Sequence, residues 1–137
     1  MQPDREQTAN ILKVHGINPT RQRVAIGSIL LAPGQHLSAL QLLDLVNQDS
    51  EVVSKATIYN TVALFARKGL VHEVSINPVN VFYDSNTTHH HHFYKVSTGV
   101  LTDIREEQII INQLPELPDG TVTERVDVTI RLRDKSS

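Results

Sequence analysis

Ser54-Lys-Ala-Thr-Ile-Tyr-Asn-Thr-Val-Ala-Leu-Phe-Ala-Arg-Lys-Gly69 is the stretch whose reading decides the fold. Ser54 is a helix N-cap residue, and Lys68-Gly69 has the make-up of a helix end. At about 100° per residue, Ile58, Val62 and Phe65 fall on one apolar face. Ala56, Asn60, Ala63 and Arg67 lie opposite, with Thr57 and Tyr59 on the flanks. Alanines let a helix approach groove walls closely, and an asparagine amide can make a paired contact to adenine N6 and N7. Tyr59 can set its ring against a thymine methyl and its hydroxyl against a phosphate. Arg67, Lys68 and Lys55 can reach the nucleic-acid backbone. An ordinary amphipathic helix with a solvated face would share this pattern, so the neighbouring elements decide.

Upstream, Thr8, Ile11, Leu12 and His15 have helical spacing and Gly16 stops that helix. Pro19 opens a second, with Ile26, Ile29 and Leu30 on one face and Pro33-Gly34 at its end. Ser38 and Gln41 form a capping box ahead of Ala39, Leu42, Leu43 and Val46. Downstream, Leu70–Ile76 and Val81–Asp84 read as strands around a turn at Asn77-Pro78. Helices followed by a hairpin are the winged-helix arrangement, which makes the 54–69 helix the DNA reader. Arg21, Arg23, Lys55, Thr57, Tyr59, Asn60 and Arg67 are its candidate DNA-binding residues, with Arg23 meeting phosphate.

Past Asp84 the character changes. His89–Val96 and Val100–Ile104 read as strands around Thr98-Gly99, and Glu106–Leu114 as a short helix. Val126, Val128, Ile130 and Leu132 then alternate with polar residues, the pattern of a half-buried strand. The organisation is α+β: a winged-helix DNA-binding domain over 1–84, then a small α/β dimerisation and sensing domain over 85–137. A unit of that size is marginal as a lone core, and pairing with a second copy would supply burial.

Bulk properties exclude several classes. The 137 residues are 39% hydrophobic, which allows a modest core, and only 4% aromatic without Trp, so that core is aliphatic. No apolar run approaches the roughly 20 residues that span a bilayer. Absence of cysteine excludes disulfides, thiolate zinc sites and cysteine nucleophiles, and the cytoplasm is the expected compartment. Net charge is −2, but Lys13, Arg21 and Arg23, and then Lys55, Arg67 and Lys68, form local basic stretches. No general acid/base pair, nucleophile, phosphate loop or H-E-x-x-H motif occurs, so the chain is read as no enzyme.

His89-His-His-His92 is the most unusual feature. Purification tags sit at termini or linkers, whereas this run leads into Phe93-Tyr-Lys-Val96. A solvated histidine-rich loop would account for one or two of the four. On a strand, His90 and His92 project together and His89 and His91 the other way. Such a pair is a bidentate start for a metal, since neutral imidazole suits zinc, iron, copper or nickel. Asp84 can add an oxygen, and His36 can join only through the fold. Neutral histidines also serve as axial haem ligands, and Phe93 and Tyr94 offer flat apolar surface, so His89, His90, His91 and His92 are candidate haem ligands. His15 and His72 have no sequence partner and read as structural or surface residues.

The chain resembles the ferric uptake regulator superfamily over nearly its whole length. The matching elements are Pro19-Thr-Arg-Gln-Arg23, His36-Leu-Ser-Ala39, Ala56-Thr-Ile-Tyr-Asn60, Gly69-Leu-Val71 and the histidine run ahead of a strand. Within it, the chain is most similar to the iron response regulator branch. Asn60 after Tyr59, the aromatics after the histidines and the ending Val126-Asp-Val-Thr-Ile-Arg-Leu-Arg133 carry that likeness. The resemblance implies a homodimer with an inter-domain metal site at His36, Asp84, His90 and His92. At the family's usual second site His91 replaces an acidic residue, and Glu106 or Glu107 would have to stand in for the later carboxylate. Lys95 and Thr98 stand where the family has the first cysteine pair of a structural zinc site. The branch is also haem responsive.

The reading is a dimeric repressor or activator of iron- or haem-responsive genes. It binds an AT-rich palindromic operator in double-stranded DNA and is controlled by a divalent ion (zinc, manganese or iron) or by haem. The alternatives are a zinc, manganese or peroxide sensor of the same superfamily, and a winged-helix interaction module with a metal-storage histidine run and no DNA role.

Overall fold

The computed structural model describes residues 2–48 and 52–136. These divide into two compact units, the first reaching Thr87 and the second starting at Thr88. The helices of the first unit begin where side chains satisfy their free N–H groups. Asp4 caps α1 (Arg5–Val14) in a reciprocal box with Gln7. Thr20 caps α2 (Arg21–Leu30), accepting the Arg23 N–H at 3.3 Å. Pro19 thus precedes the cap instead of opening the helix, because the Thr20 hydroxyl takes that role. The Ser38–Gln41 box opens α3 (Ala39–Gln48), with bonds of 2.9 and 3.1 Å. Ser54 caps α4 (Lys55–Arg67) through the Thr57 N–H at 3.1 Å. Leu12, Ile26, Leu30, Leu42, Val46, Ile58, Val62 and Phe65 are fully buried and form one cluster, so the apolar stripes read from the sequence meet.

A three-stranded antiparallel sheet completes this unit. Its strands are β1 (His36–Ser38), β2 (His72–Ser75) and β3 (Val81–Asp84), with β3 in the middle. The wing turn forms as expected: the Asn77 side-chain oxygen accepts from the Val79 and Asn80 N–H groups at 3.0 and 2.9 Å. Strand β1 is an addition, and it pairs His36 with Asp84.

The packing of α1 on α2 depends on Gly27. A Cβ there would lie 2.9 Å from the Thr8 methyl and 3.8 Å from both Leu31 and Phe65. Thr8 is fully buried and its hydroxyl donates to the Asp4 carbonyl at 2.8 Å, so the methyl cannot swing away. Gly27→Ala should therefore lose about 1–3 kcal/mol to overpacking, more than the helix propensity it gains. A thermal melt checks this, and a variant that melts above the wild type would show the α1–α2 contact to be loose.

The second unit contains β4 (His90–Lys95), β5 (Val100–Arg105) and β6 (Thr129–Leu132) in the order β5-β4-β6. β4 and β5 are antiparallel around Gly99, whose φ of 70° needs a glycine, and β6 runs parallel to β4. Two expectations are corrected here. Glu106–Leu114 makes only a single 3-10 turn at Glu106–Gln108. The three β-branched residues Ile109–Ile111 that follow lose side-chain freedom in a helix and stay extended or irregular. The strand expected over Val126–Leu132 begins at Thr129, and its residues are exposed in the single chain. The late start has a local cause: the Val128 N–H donates to His91 Nδ1 at 3.0 Å and the Val126 carbonyl accepts from His89 Nε2 at 3.0 Å. Histidine side chains take the bonds a ladder would otherwise make. The class is the α+β arrangement expected, a winged helix followed by a small α/β unit. Among the described residues no helix is long and apolar enough to cross a membrane.

Candidate metal centre and nucleic-acid interface

Alternation along β4, and His89 just ahead of it, separate the four histidines into two pairs. His90 and His92 share a face, their ring centroids 4.5 Å apart. Antiparallel pairing puts Asp103 of β5 directly opposite His92, on that same face. His90 Nε2 lies 3.1 Å and His92 Nε2 3.5 Å from the same Asp103 oxygen. His90 Nδ1 is 2.6 Å from the Thr88 carbonyl, an acceptor only, so Nδ1 carries the proton. Nε2 then faces a carboxylate oxygen. A ring nitrogen and a carboxylate oxygen this close share a proton or a cation, and a divalent ion would supply that charge. The backbone bond that fixes the tautomer is the outer-shell device common to metal-binding histidines.

The first unit carries a second half-set. His36 on β1 and Asp84 on β3 are paired across the sheet, with His36 Nε2 3.1 Å from Asp84 Oδ2. The Asp84 side chain is fully buried, and its Oδ1 accepts the Asn86 N–H at 2.8 Å. Of the four metal residues expected, each unit thus assembles two. Asp103 was missed, although counting the register back from the Thr98-Gly99 turn places it opposite His92. Each half-set mixes imidazole nitrogen with carboxylate oxygen, donor types suited to zinc, iron or manganese.

His89 and His91 serve the other face. His89 Nδ1 is 3.1 Å from Glu106, and this hydrogen bond, helped by the Val126 carbonyl, raises its pKa. His91 is buried, which together with His89 nearby lowers its pKa and keeps it neutral. Its Nδ1 has to be unprotonated to accept from Val128. Glu106 stands beside the run, while both odd-numbered histidines are engaged by the 126–128 segment.

The candidate DNA face follows the helical wheel. Lys55, Ala56, Asn60, Ala63 and Arg67 are exposed on α4, and Tyr59 is 44% exposed. Thr57 is half-buried, and its hydroxyl accepts from Ser54 at 2.9 Å, so it belongs mainly to the cap. Arg23 donates one guanidinium N–H to the Asn18 carbonyl at 3.0 Å, which steers its side chain along the start of α2. A polar cleft of about 230 Å³ lies between α2 and α4, lined by Thr20, Gln22, Arg23, Thr57, Asn60, Thr61 and Leu64. Gln22 was not among the sequence candidates. It lies between the two arginines of the sequence motif, Arg21 and Arg23, and becomes visible only when α2 is set beside α4.

The chain is similar to several known proteins. The family model described as the ferric uptake regulator family matches residues 14–131. A peroxide-responsive repressor, PerR, from Staphylococcus aureus (strain Mu50) is 30% identical over 104 residues, which is 76% of this chain and 70% of that protein. The manganese-containing ferric uptake regulator from Pseudomonas aeruginosa superposes with a TM-score of 0.67 at 23% identity, covering 94% of this chain and 98% of that one. The ferric uptake regulator of Vibrio cholerae gives a TM-score of 0.71 at 18% identity, covering 92% and 98% respectively.

Proposed function

Because the chain belongs to the ferric uptake regulator family, we propose that it is a cation-gated DNA-binding dimer whose regulatory ion is held by His36, Asp84, His90, His92 and Asp103. As a member of that family it is a metal-responsive transcription regulator and not an enzyme. The observation that carries the site is the pairing of imidazole nitrogens with carboxylate oxygens, twice over: His36 with Asp84, and His90 and His92 with Asp103. Bound there, the ion would neutralise the charge of the carboxylates. The protein's part is to hold each half-set ready and to present α4. A ligand shifts such an equilibrium only by binding its two states with different affinity.

Iron is the ion we assign, within the iron response regulator branch. The cysteine-free sequence, the histidine run and the Val126–Arg133 ending support this. Haem would have to draw His89 or His91 out of the bonds to Glu106, Val126 and Val128, or take His90 and His92 from Asp103, which favours the ion over haem as the signal. One experiment tests the reading. Protein purified without a tag is titrated with Fe2+, Mn2+ and Zn2+ under anaerobic conditions while its affinity for an AT-rich palindromic operator is followed. One ion per protomer at the mixed site, with a matching change in operator affinity, is the expected result. Operator binding indifferent to every ion would overturn it.

Peroxide sensing is the second reading, favoured by the 30%-identical repressor named for that response. Treating the Fe2+-loaded protein with hydrogen peroxide separates the two. Gain of an oxygen atom on His36, His90 or His92 by mass spectrometry, with loss of operator binding, would mark a peroxide sensor.

On DNA, Asn60 and Tyr59 read bases, while Lys55, Arg67, Arg21 and Arg23 meet phosphate. Loss of a paired base contact in Asn60→Ala should cost about 1–3 kcal/mol per half-site and relax the preference at one base pair. Loss of Arg67 should weaken all sequences alike and flatten the salt dependence. If Asn60→Ala kept both affinity and preference in a competition gel shift, α4 would not be the reading helix.

A further inference from the structure

We infer that His72 is a positioning residue for Asp84 and thereby sets the affinity of the cation site, an inference that rests on the metal reading above. One row of the first sheet carries it. β3 lies between β1 and β2, and Asp84 is the direct cross-strand partner of both His36 and His72. Directly opposed residues in antiparallel strands point to the same side, with Cβ atoms about 4.5–5.5 Å apart. His36, Asp84 and His72 therefore project from one face in a line. Phe82 and Val74 share that face, whereas Tyr83 and Val81, on the other, join the helical core.

The Asp84 carboxylate is buried and has to be held before a cation arrives. On one side His36 Nε2 meets Oδ2, and behind it the Asn86 N–H reaches Oδ1. A carboxylate has about four lone-pair positions, so it can accept from the β2 side as well as from β1. His72, half-buried, is the side chain that the register puts there. An imidazole N–H at that place fixes the plane of the carboxylate and so the direction of the lone pair offered to the ion. Carboxylates that ligate metals are held in this way by outer-shell donors, whose loss typically weakens metal binding about 10–100-fold. Nothing in the sequence pattern separates His72 from a surface histidine. Only the register, which sets the last residue of the wing hairpin's second strand opposite the first residue of its partner, makes it a neighbour of the site.

The test uses the full chain and Mn2+ as the probe ion. His72→Leu removes the donor at similar size, His72→Gln keeps an N–H donor, and Asp84→Asn marks the site itself. His72→Leu should weaken Mn2+ binding about 10–100-fold with the metal-free melting temperature unchanged, and His72→Gln should recover most of the affinity. In an Asp84→Asn background the His72→Leu penalty should vanish, since no carboxylate is left to orient. If His72→Leu does not fold, His72→Phe, which keeps a ring without a donor, takes its place. Wild-type Mn2+ affinity in these variants alongside a loss in Asp84→Asn would overturn the role of His72 and leave the site standing. Equal losses in His72→Leu and His72→Gln with lowered metal-free melting would also overturn it, as a packing effect. An Asp84→Asn protein that binds Mn2+ like the wild type would instead remove the metal reading.

Discussion

Ile130→Asp is expected to leave the protein monomeric and to lower its operator affinity by more than about 100-fold, the scale of the gain that two linked half-sites confer. β6 pairs with β4 so that Ile130 sits opposite Phe93 and Leu132 opposite Lys95. Val100 and Ile104 of β5 point to the same side. In the single chain Ile130, Leu132 and Val100 are 39%, 37% and 51% exposed. Regulators of this family act as DNA-binding dimers, and this apolar sheet face is the surface we assign to the pairing. An aspartate at a two-fold interface is introduced twice, and each uncompensated buried charge costs several kcal/mol. Light scattering at micromolar concentration and a gel shift with the palindrome check the two effects. A variant that remains dimeric would move the interface elsewhere.

His90→Ala should reduce the affinity for the regulatory cation by more than the roughly 10–100-fold that loss of an outer-shell partner costs, because it removes a ligand outright. The substitution also frees Asp103 from its nearest imidazole and leaves the Thr88 carbonyl without its 2.6 Å partner. His90→Gln restores a donor to Thr88 but no ring nitrogen, so it should bind the ion as poorly as His90→Ala. Both should lose ion-dependent operator binding while keeping the thermal transition of the first unit, where α4 resides. Calorimetric titration with Mn2+ measures the first effect, and full affinity in either variant would take His90 out of the site.

How much of this was legible differs from element to element. Helix α4 could be read end to end, since Ser54, Ile58, Val62, Phe65 and Gly69 combine cap, stripe and stop in one stretch. Strand β1 could not: Leu37 is its only apolar residue, and three residues are too few for a period to show. It matters because it brings His36 to Asp84. Asp103 was hidden differently. It looks like any exposed acid in a strand, and it acquires meaning only from the register of the β4–β5 hairpin. The run after Arg105 misled because Glu106, Glu107 and Gln108 favour a helix, while the isoleucines behind them do not. Charge, capping and periodicity are local properties of a sequence, whereas the site is made by pairing between strands.

The alternation along β4 also decides how the histidine run can be interrogated. Its even members face Asp103 and its odd members clasp the segment leading into β6, so the run is two interleaved devices in four consecutive codons. Replacing all four at once confounds a lost ligand with an unfastened strand. Because that strand carries Ile130 and Leu132, such a block variant would look like a dimerisation defect as readily as a sensing defect. Swapping the even pair and the odd pair separately makes the genetics of the run separable: the first pair should score in ion binding, the second in assembly.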